Sequence, residues 1–165
     1  MDIIKAMNER HSVRSYTDKK IEGETLAALN EEIESCNRES GLNIQLITDE
    51  PNAFDSFLAH YGSFSGVKNY IAIVGKKSPD LQEKGGYYGE RIVLKAQMLG
   101  LNTCWVALTF SKKKAAYKIS KGEKLVCVIA IGYGKTAGVP HKNRSIDPLC
   151  KFNGNMPEWF RNGVY

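Results

Sequence analysis

The stretch ERIVLKAQMLGLNTCWVAL, residues 90–108, joins a helix pattern, a stop signal and a strand pattern. From Tyr87 to Leu99 the apolar residues leave little polar surface, which predicts a long and largely buried helix. Gly100 follows as the residue that ends such a helix in a left-handed conformation. The residues LNTCWVAL, 101–108, then predict a strand. The stretch therefore indicates a fold that combines helices and strands.

Further strand and helix patterns lie on both sides of this stretch. The clearest strand is EKLVCVIAIGYG, residues 123–134, which is apolar on both faces and is therefore expected at the centre of the sheet. The other predicted strands are LNIQLIT (42–48) and VKNYIAIVG (67–75), and the other predicted helices cover residues 2–10, 22–37, 53–60 and 111–119. A long polar loop follows Gly134, and Pro157 begins a last short helix. These patterns predict an α+β fold.

Length, charge and cysteine content exclude several classes of protein. With 165 residues, 42% of them hydrophobic, the chain can bury one sizeable core and is too short for two domains. It has no apolar run long enough to span a membrane and no signal peptide pattern, so we expect a cytoplasmic protein without membrane contact. The four cysteines lie far apart, and no metal site is expected. The net charge of +5 favours an anionic ligand.

The segment NERHSVRSYT, residues 8–17, concentrates hydrogen-bond donors. If it is extended, its side chains alternate between two sides: Arg10, Ser12 and Arg14 on one, and His11, Val13 and Ser15 on the other. The two arginines are then roughly 13 Å apart along the strand, too far to share one phosphate. They suit an elongated ligand that carries a phosphate at one end.

The alternative for this segment is purely structural. In that interpretation the two arginines cap the preceding helix and pair with surface carboxylates such as Glu9 or Asp18. A second cationic segment, HKNRS, places Lys142 and Arg144 in the long polar loop, where the alternative is an exposed charged loop. Two such segments in one small chain favour a phosphate-bearing cofactor.

The segment GGYYGERI, residues 85–92, offers a different phosphate site. Its three glycines precede a helix, as in the dinucleotide-binding fingerprint. That fingerprint needs its first glycine directly at the end of a strand, whereas about ten residues separate the strand and the glycines here. The fingerprint is therefore the weaker explanation.

Three segments, in this order along the chain, resemble the nitroreductase family of flavin-dependent oxidoreductases. The first is the Arg-x-Ser-x-Arg-x-Tyr pattern that runs from Arg10 to Tyr16 after a short helix. The second is residues 90–108, which look like the family's long central helix and the strand behind the flavin. The third is the IAIGYG strand followed by the basic HKNR segment. The resemblance covers most of residues 1–150.

The resemblance implies an α+β homodimer with a mixed central sheet flanked by helices and with FMN in a groove at the subunit interface. The residues that it assigns to FMN are Arg10, His11, Ser12, Arg14, Lys142 and Arg144, together with backbone groups of Ala107 and Leu108. It also implies that NADH or NADPH donates a hydride and that a nitroaromatic, a quinone or a similar flat molecule accepts the electrons. Because the cofactor carries the chemistry, no side chain is assigned as catalytic.

Two departures from the family pattern leave a second interpretation open. Many members carry an Asn-x-Gln-Pro-Trp segment along the flavin, of which only Asn43 and Gln45 remain here, and these suit ordinary strand residues. Related proteins also usually continue beyond the position of Tyr165, so either a C-terminal part is missing from this sequence or the protein is a reduced form. The alternative is a degenerate member that binds flavin as a sensor or carrier without turnover. A nucleic-acid module is not expected, because no aromatic residues are interleaved with the lysine run.

Overall fold

A four-stranded sheet lies at the centre of the computed structural model, which describes residues 1–55, 62–139, 151 and 153–154. The strands are β1 (Gln45–Ile47), β2 (Tyr70–Lys76), β3 (Asn102–Val106) and β4 (Glu123–Gly132), in the spatial order β1-β2-β4-β3. All three strand pairs are antiparallel, and a short parallel bridge between Ser12 and Thr103 extends the sheet beyond β3. The prediction that β4 is central is confirmed, since β2 and β3 pair with its two edges.

Three helices are described: α1 (Ile3–Glu9), α2 (Gly23–Ser40) and α3 (Leu81–Met98). The Asp2 side chain caps α1 by accepting the Lys5 N–H at 2.9 Å. Gly41 and Gly100 end the other two helices with positive φ angles of 70° and 79°, as the sequence predicted. The helix α3 begins at Leu81 rather than at Tyr87, so the prediction placed its start too late.

Alternation along β2 separates two hydrophobic cores, one on each face of the sheet. Ile71 and Ile73 face α2 and α3, whereas Tyr70, Ala72 and Val74 face the opposite core. All five side chains are fully buried, and β4 alternates in the same way. The core opposite the helices is covered by aromatic residues from the loops, among them Phe54, Phe64 and Phe110. The sheet is therefore buried on both faces.

The helix predicted for residues 111–119 is wrong. Only a single turn forms at residues 112–114, and the chain then continues without helix. Side chains from the neighbouring strands bind the backbone there: the Ala116 N–H donates to the Tyr70 hydroxyl at 2.7 Å, and Gln45 exchanges hydrogen bonds of 2.7 and 2.9 Å with the backbone of Lys118. Those backbone groups are therefore not available to an α-helix.

The remaining predictions lie partly or wholly outside the described residues. Of the helix predicted for 53–60, residues 52–54 form a turn, and 56–60 are not described. The segment that begins at Pro157 and most of the polar loop are likewise outside. None of the helices in the described ranges has the length and apolar character needed to cross a bilayer.

Candidate functional site

Residues 10–17 form an extended segment that is fixed to the end of the sheet by backbone hydrogen bonds. The Val13 N–H donates to the Thr103 carbonyl at 3.0 Å, and the Thr17 N–H donates to the Tyr133 carbonyl at 2.8 Å. On its other edge, the segment exchanges hydrogen bonds of 2.9 and 3.0 Å with the backbone of Ser65. The segment is therefore extended, as the hypothesis of an elongated ligand requires.

Arg10, Ser12 and Arg14 share one neighbour on the sheet, the Cys104 thiol of β3. Burial raises the pKa of the Cys104 thiol on β3, and three neighbours oppose this shift: Arg14 by its charge, Ser12 by a hydrogen bond and Arg10 by its charge. These three side chains therefore lie within electrostatic or hydrogen-bonding reach of one residue of the sheet.

Tyr16 anchors the end of the segment in the core. Its ring is buried, and its hydroxyl donates toward the carbonyls of Val13 at 2.6 Å and Ala130 at 3.2 Å. Burial raises the pKa of this phenol far above its usual range, so Tyr16 stays neutral. The result is a rigid backbone that supports the exposed side chain of Arg14.

Arg14 lies in a cleft of about 280 Å³ at the end of β3. The cleft is lined by residues of three segments: Arg14; Gly62, Ser63 and Phe64; and Trp105, Val106, Ala107 and Thr109. The guanidinium carbon of Arg14 is 6.0 Å from the centre of the Phe64 ring. The structure therefore brings together Arg14 and Ala107, two residues that the resemblance assigned to one ligand.

The floor of this cleft is narrow because two of its segments approach closely. A Cβ at Gly62 would lie 2.8 Å from the Cβ of Thr109, so position 62 admits no larger residue without a shift of the chain. Leu108 follows Ala107 with 79% of its surface exposed.

Phe64 also lines a second cleft, of about 340 Å³. Phe54, Val67 and Lys68 contribute to its lining. The Lys68 ammonium is already 2.7 Å from the Asp18 carboxylate, which raises the pKa of Lys68 through a hydrogen bond and lowers that of Asp18. This cleft therefore offers a less available cation than the cleft beside Arg14.

Arg10 has a different environment from Arg14. Its backbone N–H donates to the Ala6 carbonyl and ends α1, as the structural alternative predicted. The carboxylates named in that alternative are not its partners, since Glu9 pairs with Lys5 and Asp18 with Lys68. The partner of Arg10 is instead Glu90 on α3, with Arg10 Nε 3.5 Å from Glu90 Oε1.

Residues 135–138, which follow β4, contact the extended segment of residues 10–17. The Lys135 N–H donates to the Ser15 carbonyl at 2.9 Å. Gly138, with a φ of 87°, lies so close to His11 that a Cβ at position 138 would be 2.7 Å from the His11 Cβ. Lys142 and Arg144, the other two residues assigned to FMN, lie outside the described residues.

The dinucleotide fingerprint considered for residues 85–92 is wrong. Gly85, Gly86 and Gly89 lie inside α3, and the missing side chains of Gly85 and Gly89 permit close packing on the sheet. A Cβ at Gly85 would be 3.2 Å from Ile73 Cγ2, and one at Gly89 would overlap the Trp105 indole. Close approach to the sheet explains why a glycine-rich stretch is helical here.

Asn43 and Gln45 hold the far edge of the sheet. The Asn43 amide donates to Glu123 Oε2 at 3.2 Å, and Gln45 binds the backbone of Lys118. Neither residue lines the cleft beside Arg14. Gln45 is thus a strand residue of β1, as expected, whereas Asn43 precedes that strand.

Three residues near the site were missed by reasoning from the sequence: Phe64, Glu90 and Trp105. Phe64 follows a Gly-Ser pair in a loop, and nothing in its neighbours indicates a contact with Arg14. Trp105 belongs to a predicted strand, but its hydrogen bond to Glu90 depends on how α3 packs on that strand. Within the described ranges no cluster of histidine, cysteine, aspartate or glutamate could hold a metal ion.

Comparison with known proteins gives one family and many similar folds. The family model described as "Putative TM nitroreductase" matches residues 2–165. No curated protein matches the chain. Among solved structures, a "putative nitroreductase in complex with fmn" from Desulfovibrio desulfuricans is 16% identical, with a TM-score of 0.70 over 94% of this chain and 99% of that one.

Two further solved structures show the same likeness. A nitroreductase family protein from Streptococcus pneumoniae is 13% identical, with a TM-score of 0.71 over 92% of this chain and all of that one. An FMN-dependent nitroreductase from Clostridium difficile is 18% identical, with a TM-score of 0.64 over 92% of this chain and 99% of that one. At such low identity, these structures show a shared fold and no residue roles.

Proposed function

Because this chain belongs to the nitroreductase family, we propose that it is an FMN-dependent oxidoreductase that uses NADH or NADPH to reduce nitroaromatics, quinones or similar flat molecules. The observation that carries the proposal is the cleft at the end of β3, which both Arg14 and Ala107 line. Two of the similar folds, from Desulfovibrio desulfuricans and Clostridium difficile, are described with FMN.

The donor set of this chain fits FMN. A phosphate and a chain of hydroxyl groups need cationic and neutral donors along an elongated path, and Arg10, His11, Ser12 and Arg14 follow one another along an extended backbone. A flat ring system needs an apolar wall, which Phe64 and Val106 supply in the same cleft. In this proposal Lys142 and Arg144 add phosphate contacts, supported by the approach of Gly138 to His11.

When bound, FMN supplies the two-electron chemistry between the nicotinamide and the second acceptor. The residues of this chain hold and orient it. Arg14 contributes a positive charge at the cleft, and a fixed positive charge favours an electron-rich ring. The Phe64 ring lies 6.0 Å from that cation and supplies a cation–π contact on one side of it. No side chain is needed as acid, base or nucleophile.

We propose further that the active form is a homodimer. On α1, Ile3, Ile4 and Met7 are 48%, 64% and 55% exposed, an apolar face that a second subunit would cover. The three buried or half-buried free thiols of the described residues suit a reducing compartment such as the cytoplasm.

The test of this function is the visible spectrum of the purified protein with and without added FMN. The proposal expects a yellow protein, or a colourless one that takes up FMN stoichiometrically and releases it on denaturation. Size-exclusion chromatography with light scattering, run on the same sample, tests the homodimer. A protein that stays colourless after incubation with FMN contradicts the proposed function.

A second candidate is a flavin-binding sensor or carrier without turnover. The observation that favours it is the structural use of Asn43 and Gln45, which bind Glu123 and Lys118 and so contribute nothing to the cleft. The two candidates differ in one property, the rate at which NADH or NADPH removes the flavin colour. Rapid loss of colour supports the enzyme, and a colour that persists supports the sensor or carrier.

A further inference from the structure

We propose that Glu90 on α3 is a positioning residue that orients Arg10 for the cofactor phosphate or its hydroxyl chain. This inference rests on the proposed function, because it concerns how the protein prepares its FMN site. No feature of the sequence pointed to Glu90, which lies eighty residues from Arg10 along the chain. The structure places the two side chains in contact.

The carboxylate of Glu90 bridges two residues of the site region. Its Oε1 is 3.5 Å from Arg10 Nε, and its Oε2 accepts a hydrogen bond from Trp105 Nε1 at 3.1 Å. Each oxygen thus has its own partner, so the carboxylate plane is fixed by the indole while it holds the guanidinium. A contact through Nε leaves the far edge of the guanidinium to bind another anion.

The support behind this bridge is rigid. Glu90 lies in the middle of α3, and the neighbouring Gly89 lets the Trp105 indole pack directly on the helix. Trp105 belongs to β3, one residue after Cys104, so the bridge joins a helix to a strand of the central sheet. Side chains fixed by regular elements are oriented more narrowly than side chains on loops.

Partial burial strengthens the ion pair between Arg10 and Glu90. The Arg10 side chain retains 21% of its exposure, compared with 42% for Glu90, so water screens the pair only in part. Arg10 has many rotamers, and without its partner it would have to lose that freedom each time a ligand binds. By holding Arg10 in advance, Glu90 lowers the entropic cost of binding.

The opposite role for Glu90 would be to repel the FMN phosphate, and an experiment can distinguish the two roles. A negative charge near a phosphate repels it, and in that case removal of Glu90 would tighten FMN binding. The two roles therefore predict opposite signs for the same substitution. The repulsion between Glu90 and the FMN phosphate is screened by water and is weaker than one charge-assisted hydrogen bond from Arg10 to FMN. If Glu90 positions Arg10, its removal therefore weakens FMN binding.

The experiment is a double-mutant cycle on FMN affinity, measured by the quenching of flavin fluorescence. The proteins are the wild type, Glu90→Ala, Arg10→Gln and the double variant, with Glu83→Ala as the control for loss of an exposed acidic residue on the same helix. Glu90→Ala should weaken FMN binding about tenfold in the wild-type background and less than about twofold in the Arg10→Gln background. Glu83→Ala should leave the affinity unchanged.

A second readout uses protein without FMN. Glu90→Gln keeps a hydrogen-bond acceptor for the indole but loses the charge that pairs with Arg10. The Trp105 Nε1–H signal in a nitrogen–proton spectrum should therefore move strongly in Glu90→Ala and little in Glu90→Gln, while both variants bind FMN more weakly. Thermal unfolding of each variant, followed by circular dichroism, establishes that the comparison is made between folded proteins.

Several outcomes would overturn this inference. Tighter FMN binding in Glu90→Ala, or an equal loss in both Arg10 backgrounds, contradicts the positioning role and leaves the proposed function intact. An indole signal unchanged in Glu90→Ala contradicts the bridge itself. If the wild type binds no FMN, the proposed function fails first, and this inference fails with it.

Discussion

Gly89 lies directly against the indole ring of Trp105, so that a Cβ at position 89 would overlap the ring. Alanine is the better helix former by about 1 kcal/mol, and in an open helix Gly89→Ala would stabilise the protein. Here the clash with Trp105 is expected to dominate and to lower the free energy of unfolding by about 1–3 kcal/mol. Urea unfolding, followed by circular dichroism, measures this change.

The matched control is Gly86→Ala on the same helix. A Cβ at Gly86 meets no atom within 4 Å, so only the helix propensity changes. We expect this variant to raise the free energy of unfolding by about 0.5–1 kcal/mol. If both variants changed stability in the same direction, the close contact between Gly89 and Trp105 would be refuted.

The adjacent glycines Gly85 and Gly86 explain why the sequence pattern placed the start of α3 at Tyr87 instead of Leu81. A Gly-Gly pair normally marks a loop, because glycine lowers helix stability. Gly85 is helical nonetheless. Its missing side chain lets α3 pack closely on β2, where a Cβ at position 85 would be 3.2 Å from Ile73. The packing of helix on sheet decides the outcome, and packing partners distant along the chain are not visible in a local pattern.

Arg14 provides the most direct test of the site. Arg14→Gln removes the exposed cation of the cleft and is expected to weaken FMN binding about 10- to 100-fold, the effect of one or more lost charge-assisted hydrogen bonds. Lys112→Gln removes the same charge from an exposed position outside the cleft and serves as the control. Fluorescence titration with FMN measures both. Equal losses in the two variants would mean that only the net charge of the protein matters.

Tyr16 is expected to stabilise the donor-rich segment rather than to react. Tyr16→Phe removes a hydroxyl that donates to the carbonyls of Val13 and Ala130 and leaves both acceptors buried. The expected cost is about 1–3 kcal/mol of unfolding free energy. Tyr87→Phe, at a position 65% exposed, should change stability by less than about 0.5 kcal/mol. Chemical denaturation of both variants checks this, and a neutral Tyr16→Phe would refute the anchoring role.

Ionisation of the Cys127 thiol is expected to destabilise the folded protein at alkaline pH. Burial raises the pKa of its thiol to about 11 in the folded protein, above its ordinary value near 9. The unfolded chain therefore loses this proton first, and the stabilising contribution, complete below about pH 9, disappears as the pH rises toward 11. The difference in unfolding free energy between the wild type and Cys127→Ala should shrink from about pH 8 to about pH 10.5. A difference that is constant with pH would contradict the burial of this thiol.

The sequence predicted the parts of the site that depend on local periodicity. The alternation expected for Arg10, Ser12 and Arg14 depends on an extended backbone, and the structure shows that backbone, with all three residues near Cys104. The contacts of Phe64 with Arg14 and of Glu90 with Trp105 join residues from separate elements. Such contacts depend on how helix, loop and strand pack together, and a single sequence carries no local signal for them.

The failed helix at residues 111–119 has the same cause. Its lysines and alanines favour a helix by propensity, and Ser111 is a good N-cap. Instead, the backbone N–H groups of Ala116 and Lys118 donate hydrogen bonds to the side chains of Tyr70 and Gln45. Both partners lie on strands far away along the chain, so local propensity could not reveal this competition.

FMN bound to this protein should accept electrons from a reduced nicotinamide, because the proposed function depends on that transfer. The decisive experiment records the visible absorbance of the FMN-loaded protein after anaerobic mixing with NADH or NADPH in a stopped-flow instrument. We expect rapid loss of the flavin colour with at least one of the two nucleotides, and its return when a quinone or a nitroaromatic is added. A flavin colour that persists with both nucleotides would show that the protein is not the proposed oxidoreductase.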